Sequence, residues 1–439
     1  MPPSVLHHGN VAQNGYNNAK FLRRLGVEAW AVCDEPEAFA QPEWEDAVLP
    51  PGTAALARGA GISTLDGWRR PEWVITPTQP RARFRGYYRP AYARALAANL
   101  PRLRRLFAEL RRDYAPLRTV LGTPLTFGDV VAAFRVTWMH GLTLGPIGAL
   151  YERFDLVQAY ATNAILPLME TPFRPFVAFE HGTLRELPFE DSWRGRLLSL
   201  AYHRAHTVII TNADVIGSAR RLGLENTIFV PHPVDETKYA TGDSDLGREL
   251  RDDGFGPIVF APARQDWVEK GTDALVGGFA AFVRAGHPRA LLLLGSWGRD
   301  VARTAALVRD LGLDDNVRPF EPLPKLRLID AYRAADIVVD QFVFGTFGAI
   351  APEAMACERP VVMAFDPELH EWCFPEPPPI VSARAAGEIG RALIRLAGDR
   401  EERDRLGRAG RQWVEKHHGW RLVASRQKAI YEEVLSATT

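Results

Sequence analysis

The 439-residue sequence is poor in cysteine, with only Cys33, Cys357 and Cys373. These lie far apart and form no CxxC or Cys/His spacing, which excludes a disulfide-built scaffold and a zinc knuckle. They read as buried thiols of a reducing compartment. No uncharged apolar run reaches the ~18 residues that a bilayer-spanning helix needs. The opening MPPSVLHHGN lacks a basic start followed by an apolar core, so no export signal is expected and the chain reads as cytoplasmic. Charge excess of either sign is missing too: 53 Lys plus Arg stand against 53 Asp plus Glu. No global field therefore draws the chain to nucleic acid or an anionic membrane, and no nucleic-acid partner is expected. The GxxxxGK[ST] phosphate loop, the GxSxG elbow, HExxH and the acidic calcium loop are all absent. The doublets His7/His8 and His417/His418 and the pair His203/His206 have no Cys or acidic residue at ligand spacing, so they read as structural and no metal is expected.

What is present is an alternation of short apolar runs with amphipathic stretches, the pattern of parallel sheets wrapped by helices. Strands are expected at 5–7, 28–32, 155–160, 176–180, 207–211 and 227–230, and in a second set at 257–261, 290–295, 316–320, 337–342, 360–364 and 379–381. Two sets imply an α/β fold of two Rossmann-like, doubly wound sheets. The stretch 231–254, with Pro231, Pro233, Gly242 and Gly247 among acidic residues, has a linker's composition. From about Asp399 to Leu435 the pattern is helical, with Asp399/Arg403, Glu401/Arg405 and Asp404/Arg408 at i,i+4 spacing.

One segment breaks the neutrality. From Arg81 to Arg118 there are eleven arginines and no lysine, against only Glu109 and Asp113. Leu96, Leu100, Leu103, Phe107 and Leu110 recur at helical spacing, so one stripe faces a core while Arg104, Arg105, Arg111 and Arg112 point away. The segment is a solvated face or a patch for an anionic acceptor or a membrane surface.

Three stretches could carry chemistry. After the first strand, His8-Gly9-Asn10 leads through Asn14-Gly15 into a helix, and a glycine-bearing turn at a helix start favours phosphate; an ordinary loop with positive φ at Gly15 is the other reading. The strand ending at Ala261 runs into Pro262-Ala263-Arg264 and on to Glu269-Lys270-Gly271, placing Arg264 and Lys270 where open sheets bind ligands and where both can neutralise a departing diphosphate. Finally Gly345-Thr346-Phe347-Gly348 opens a helix carrying Glu353. Free N–H groups around Thr346–Ala349 can hold a sugar or phosphate oxygen, and Glu353 can accept two vicinal ribose hydroxyls. A carboxylate so near an apolar helix start needs a partner if buried.

With these residues in hand the sequence resembles the retaining GT-B glycosyltransferases of the large family-4 group. The match rests on Arg264 with Lys270-Gly271, Ala334-Ala335-Asp336, Phe347-Gly348 with Glu353-Ala354-Met355-Ala356 and Pro360-Val361-Val362, and on Val234-Asp235 with Tyr239. The resemblance implies an N-terminal acceptor-binding domain (1–235), a C-terminal nucleotide-sugar domain (236–415) and a terminal helix (416–439) crossing back to the first. It makes Arg264, Lys270 and His181 catalytic. It makes Gly15, Phe320, Thr346, Phe347, Gly348 and Glu353 donor-binding, with Phe320 near the base. The co-substrate is a nucleotide-diphosphate sugar, no cofactor is called for, and the acceptor is a hydroxyl that is anionic or borne on a glycan, lipid or natural product. One departure stands out: the family's glutamate eight positions before the ribose-binding one is Gly345 here, so the donor sugar cannot be carried over.

The implied reaction is transfer with retention and without metal. The growing charge on the leaving diphosphate is met by Arg264, Lys270 and preorganised N–H groups, more in the transition state than in the ground state. Two other readings share this fold: an epimerase or hydrolase of nucleotide sugars, and a non-catalytic scaffold that binds them.

Overall fold

The computed structural model describes residues 3–53, 62–77, 88–170 and 174–438. Strands β1 (Ser4–His8), β2 (Glu28–Val32), β3 (Val74–Ile75), β4 (Leu156–Tyr160), β5 (Phe176–Phe179), β6 (Thr207–Ile210) and β7 (Thr227–Phe229) form one sheet in the order β3-β2-β1-β4-β5-β6-β7. Strands β8 (Ile258–Ala261), β9 (Leu291–Gly295), β10 (Val317–Phe320), β11 (Ile337–Val339), β12 (Val361–Met363) and β13 (Val381–Ser382) form a second, ordered β10-β9-β8-β11-β12-β13. Every pairing is parallel. The expected α/β class with two doubly wound sheets is therefore the observed one. Central strands such as Ile258–Ala261 and Ile337–Val339 are buried along their whole length, because helices cover both faces of the sheet.

In both sheets the strand order reverses beside the first strand, between β1 and β4 and between β8 and β11. Those are the points where open sheets leave a crevice at the strands' carboxyl ends. The loops that follow β8 and β11 are accordingly the ones that carry Arg264, Lys270 and residues 340–348.

The stretch 231–254 contains the helix Asp245–Asp252, capped by Ser244 accepting from the Gly247 N–H. The chain returns at its far end: Val234 N–H donates to His418 carbonyl at 2.8 Å, and Trp420 N–H donates to Val234 carbonyl at 2.9 Å. This pairing separates the helices Arg400–His417 and Trp420–Thr438. From there Val423, Ile430, Tyr431 and Val434 pack with Val5, Tyr16 and Tyr160 in the core of the first sheet. Lys238 ties the second half to the first, with its ammonium 2.7 Å from the buried Glu45 carboxylate.

Of the basic segment, residues 81–87 lie outside the described residues. The remainder forms the helices Tyr88–Asp113 and Ala115–Leu121. Leu103, Leu106 and Leu110 are buried in the first core with Leu96 and Phe107 packed against it, while Arg104, Arg105, Arg111 and Arg112 are exposed. Among the described residues no helix is long and apolar enough to cross a membrane.

Candidate functional site

The site is built on the carboxyl edge of the second sheet. From β8 the chain enters the loop 262–271, in which Asp266 organises the turn by accepting from Glu269 N–H at 2.8 Å. Gly271, at φ +68°, starts the helix Thr272–Arg284; a Cβ there would stand 3.1 Å from Phe342 Cβ. The close approach lets Phe342 N–H donate to Lys270 carbonyl at 2.9 Å, so the two candidate loops lie against each other. Arg264 is ion-paired with Glu269, both about two-fifths exposed. Such a pair contributes only about 0–1 kcal/mol, so a diphosphate with two negative charges can displace it. Lys270 forms no ion pair among the described residues.

The second loop is shaped by Gln341, which follows the buried strand β11. Its Oε1 accepts from Val343 and Phe344 N–H, both at 2.7 Å, and its Nε2 donates to the carbonyls of Thr346 (2.7 Å) and Ala364 (3.2 Å). With the turn so held, the N–H groups of Thr346, Phe347 and Gly348 meet no acceptor among the described residues. Phe347 is buried and stacks on His370 at 5.0 Å, whereas a Cβ on Gly348 would meet only open space. Thr346 is buried, with its hydroxyl 3.4 Å from His370 Nε2.

Glu353 is buried. Its Oε1 accepts from Tyr239 hydroxyl at 3.1 Å and from the Lys325 ammonium, and its Oε2 accepts from Tyr332 hydroxyl at 3.1 Å. An ionised carboxylate offers about four lone-pair positions, so three protein donors leave room for one more hydrogen bond. The expectation that Glu353 takes two ribose hydroxyls at once is thereby narrowed to one, unless Lys325 moves.

Across the cleft, His181 follows β5 on the loop Glu180-His181-Gly182. It lies 3.4 Å from Asn14 Nδ2 and edge-on to His232 at 5.3 Å. Burial, aided by Arg185, pushes its pKa down to about 4, so at neutral pH it is an uncharged imidazole able to exchange a hydrogen bond with a hydroxyl. Burial raises the neighbouring Glu180 to about 7. Arg185, paired with Asp214 at 2.6 Å, spans the cleft with its guanidinium 5.7 Å from the ring of Phe344.

Gly15 and Phe320 each have packing partners of their own. Gly15 does not have positive φ; in that loop Gly9, Ala12 and Gln13 do. It is glycine because a Cβ would fall 2.0 Å from Gly9 carbonyl, which is a packing reason. Phe320 stacks on Phe260 at 5.3 Å and lines a cavity of about 680 Å³ with Leu323, Pro324 and Arg327. Arg264, Lys270 and Glu353 are not in that lining.

Several residues escaped the sequence reading. Lys325 and Tyr332 as partners of Glu353 could be found only once the helices had packed. His8 does meet an acidic neighbour in space, contrary to the sequence spacing: one ligand atom each from His8, Asp34 and His140 lie within 4.8 Å of one another, and His140 Nδ1 is 3.0 Å from Asp34 Oδ2. Glu35 beside them is raised to about 7 by burial and by Asp34.

Residues 278–427 match the family model described as Glycosyl transferase-like. A D-inositol 3-phosphate glycosyltransferase of Nocardia farcinica is 32% identical over 217 residues, covering 46% of this chain and 48% of that protein. D-inositol 3-phosphate glycosyltransferase 1 of Catenulispora acidiphila is 36% identical over 149 residues, 31% of this chain and 35% of that protein. The chain thus spans half or less of these relatives' lengths. Among solved structures, sucrose-phosphate synthase of Thermosynechococcus elongatus superposes with TM-score 0.63 at 16% identity, over 99% of this chain and 100% of that one. Anabaena Alr3699/HepE in complex with UDP and glucose gives 0.63 at 15% identity, over 98% and 100%. At these identities the likeness is one of fold.

Proposed function

We propose that this chain, whose residues 278–427 match the Glycosyl transferase-like model and whose two-sheet fold is that of sucrose-phosphate synthase, is a GT-B glycosyltransferase that moves a sugar from a nucleotide-diphosphate sugar to an acceptor hydroxyl. The observation that carries the reading is the contact between the loop holding Arg264 and Lys270 and the loop 341–348, in which the N–H groups of Thr346, Phe347 and Gly348 meet no acceptor among the described residues. In this reading the diphosphate displaces Glu269 from Arg264 and takes charge from Lys270. As the bond to the anomeric carbon breaks, negative charge grows between two cations and fixed N–H dipoles, where it is stabilised more than in the intact donor. No protein nucleophile is called on. The acceptor hydroxyl attacks from the leaving-group face, its proton passes to the departing phosphate, and configuration is retained. Neutral His181 orients a hydroxyl of donor or acceptor from the other wall of the cleft. The scheme asks for no metal.

The probe donor is a UDP-sugar, since the Anabaena protein of the same fold holds UDP and glucose. An inositol phosphate is the first acceptor to try, since the relatives are named for it. The exposed Arg104, Arg105, Arg111 and Arg112 give an anionic or lipid-borne acceptor a surface to approach. The test is a donor panel with these acceptors, run on wild type, Arg264→Ala and Lys270→Ala. Each replacement lowers turnover by about 10²-fold or more, the loss of one oxyanion donor. Near-wild-type turnover in both overturns the reading.

A further inference from the structure

Resting on that donor-site reading, we propose that Asp340 is the carboxylate that receives a hydroxyl of the donor sugar, filling the part left open by Gly345. Asp340 follows β11 at the carboxyl edge of the second sheet, beside β8, where the strand order reverses. Its residue is 5% exposed, and its Oδ1 is buried without a hydrogen-bond partner. Along β11, Ile337 and Val339 belong to the core on one face, while Val338 packs on the other with Phe260, Tyr332 and Met355. Side chains alternate along a strand, so Asp340 shares the face of Val338 and turns toward Tyr332 and Glu353. Lys270 acts on it favourably and Glu353 unfavourably.

A buried carboxylate oxygen without a partner is costly, and an apolar residue would close this strand at no such cost. The charge is not there to hold Lys270 in a direct pair, because Lys270 forms none among the described residues. What the site lacks is acceptors for hydroxyls. Glu353 has one free lone-pair position, and residue 345 has no side chain. Nor can loop 341–346 easily carry one there: Gly345 has φ +73°, and a Cβ would stand 2.9 Å from Asp366 Cβ and from Arg384 Nη2. Asp340 supplies the missing acceptor from the strand end instead of from the loop.

The experiment is calorimetric titration of UDP-glucose and of UDP into wild type and Asp340→Asn, each checked by thermal melting, with Asp340→Ser as the second variant should the first fail to fold. The inference expects affinity for UDP-glucose to fall about 10-fold or more, with affinity for UDP within about twofold. A series of UDP-glucose analogues, each lacking one sugar hydroxyl, then locates the contact. One analogue loses affinity for wild type but loses nothing further with Asp340→Asn, a non-additivity that a structural role would not produce. Equal losses for UDP and UDP-glucose, or strict additivity at every hydroxyl, overturn the assignment while leaving the donor site standing. A wild-type chain that binds neither UDP-glucose nor UDP overturns the donor reading and the inference together.

Discussion

Restoring the family's glutamate by Gly345→Glu would cost stability without gaining activity. The backbone at 345 is left-handed, φ +73°, which costs a non-glycine residue about 1–2 kcal/mol. The new Cβ would press on Asp366 Cβ at 2.9 Å, where Asp366 N–H is already bonded to Gly345 carbonyl at 2.9 Å. Overpacking of that kind costs about 1–3 kcal/mol, and the flexible end of Arg384 can move aside at little cost. The sum is roughly 2–5 kcal/mol. In a unit of 150–250 residues each kcal/mol shifts the midpoint by about 2–4 °C, so the transition melting the second sheet falls on the order of 10 °C. Scanning calorimetry measures it, with Gly345→Ala as the control that adds the Cβ without the carboxylate; both variants fall by similar amounts. A Gly345→Glu chain that melts with wild type and turns over donor faster would refute this account of the loop.

Three further outcomes follow from the buried charges. Glu180 has its folded pKa raised to about 7, above the ordinary 4.5, so the stability it confers is present below 4.5 and lost as pH rises through 7. Glu180→Gln therefore gains up to about 3 kcal/mol over wild type between pH 4.5 and 8, and parallel pH–stability curves would contradict it. His181 and His418, each lowered to about 4 by burial, act in the opposite sense: their contribution is present above 6.5 and fades as pH falls through 4. Denaturant titrations of His418→Gln should show a shallower acid limb than wild type, and an unchanged limb counts against the burial argument. Lys325→Met strands the buried Glu353 on two tyrosine hydroxyls and costs about 2–4 kcal/mol, below the full 3–5 of a broken buried pair. Adding Glu353→Gln recovers at least half; strictly additive losses would mean the two groups do not interact.

Much of the sheet framework was legible because its strands are short, apolar and buried on both faces. Runs such as Ile258–Ala261 and Leu291–Gly295 announce themselves by composition alone. β3 was not seen, since two residues, Val74 and Ile75, carry no period. β11 ends at Val339 and not at 342, because Gln341 spends all its side-chain hydrogen bonds on turning the chain. The helix Asp245–Asp252 hid inside a stretch rich in Gly, Pro and charge, though Ser244 three residues before Gly247 was a readable cap. At the site, Arg264, Lys270 and Glu353 were visible as residues, but their partners were not. Glu269 is close in sequence to Arg264, whereas Lys325 meets Glu353 only after two helices pack. Asp340 passed as part of a strand, and its oddity shows only once its neighbours are in place.

The most direct test of the account is a crystal structure of the chain with UDP-glucose. The diphosphate is expected between the Arg264 guanidinium and the Lys270 ammonium, each within hydrogen-bond distance of a phosphoryl oxygen, with Glu269 displaced from Arg264. A diphosphate lodged elsewhere, with Arg264 still on Glu269 and Lys270 turned to solvent, would contradict it.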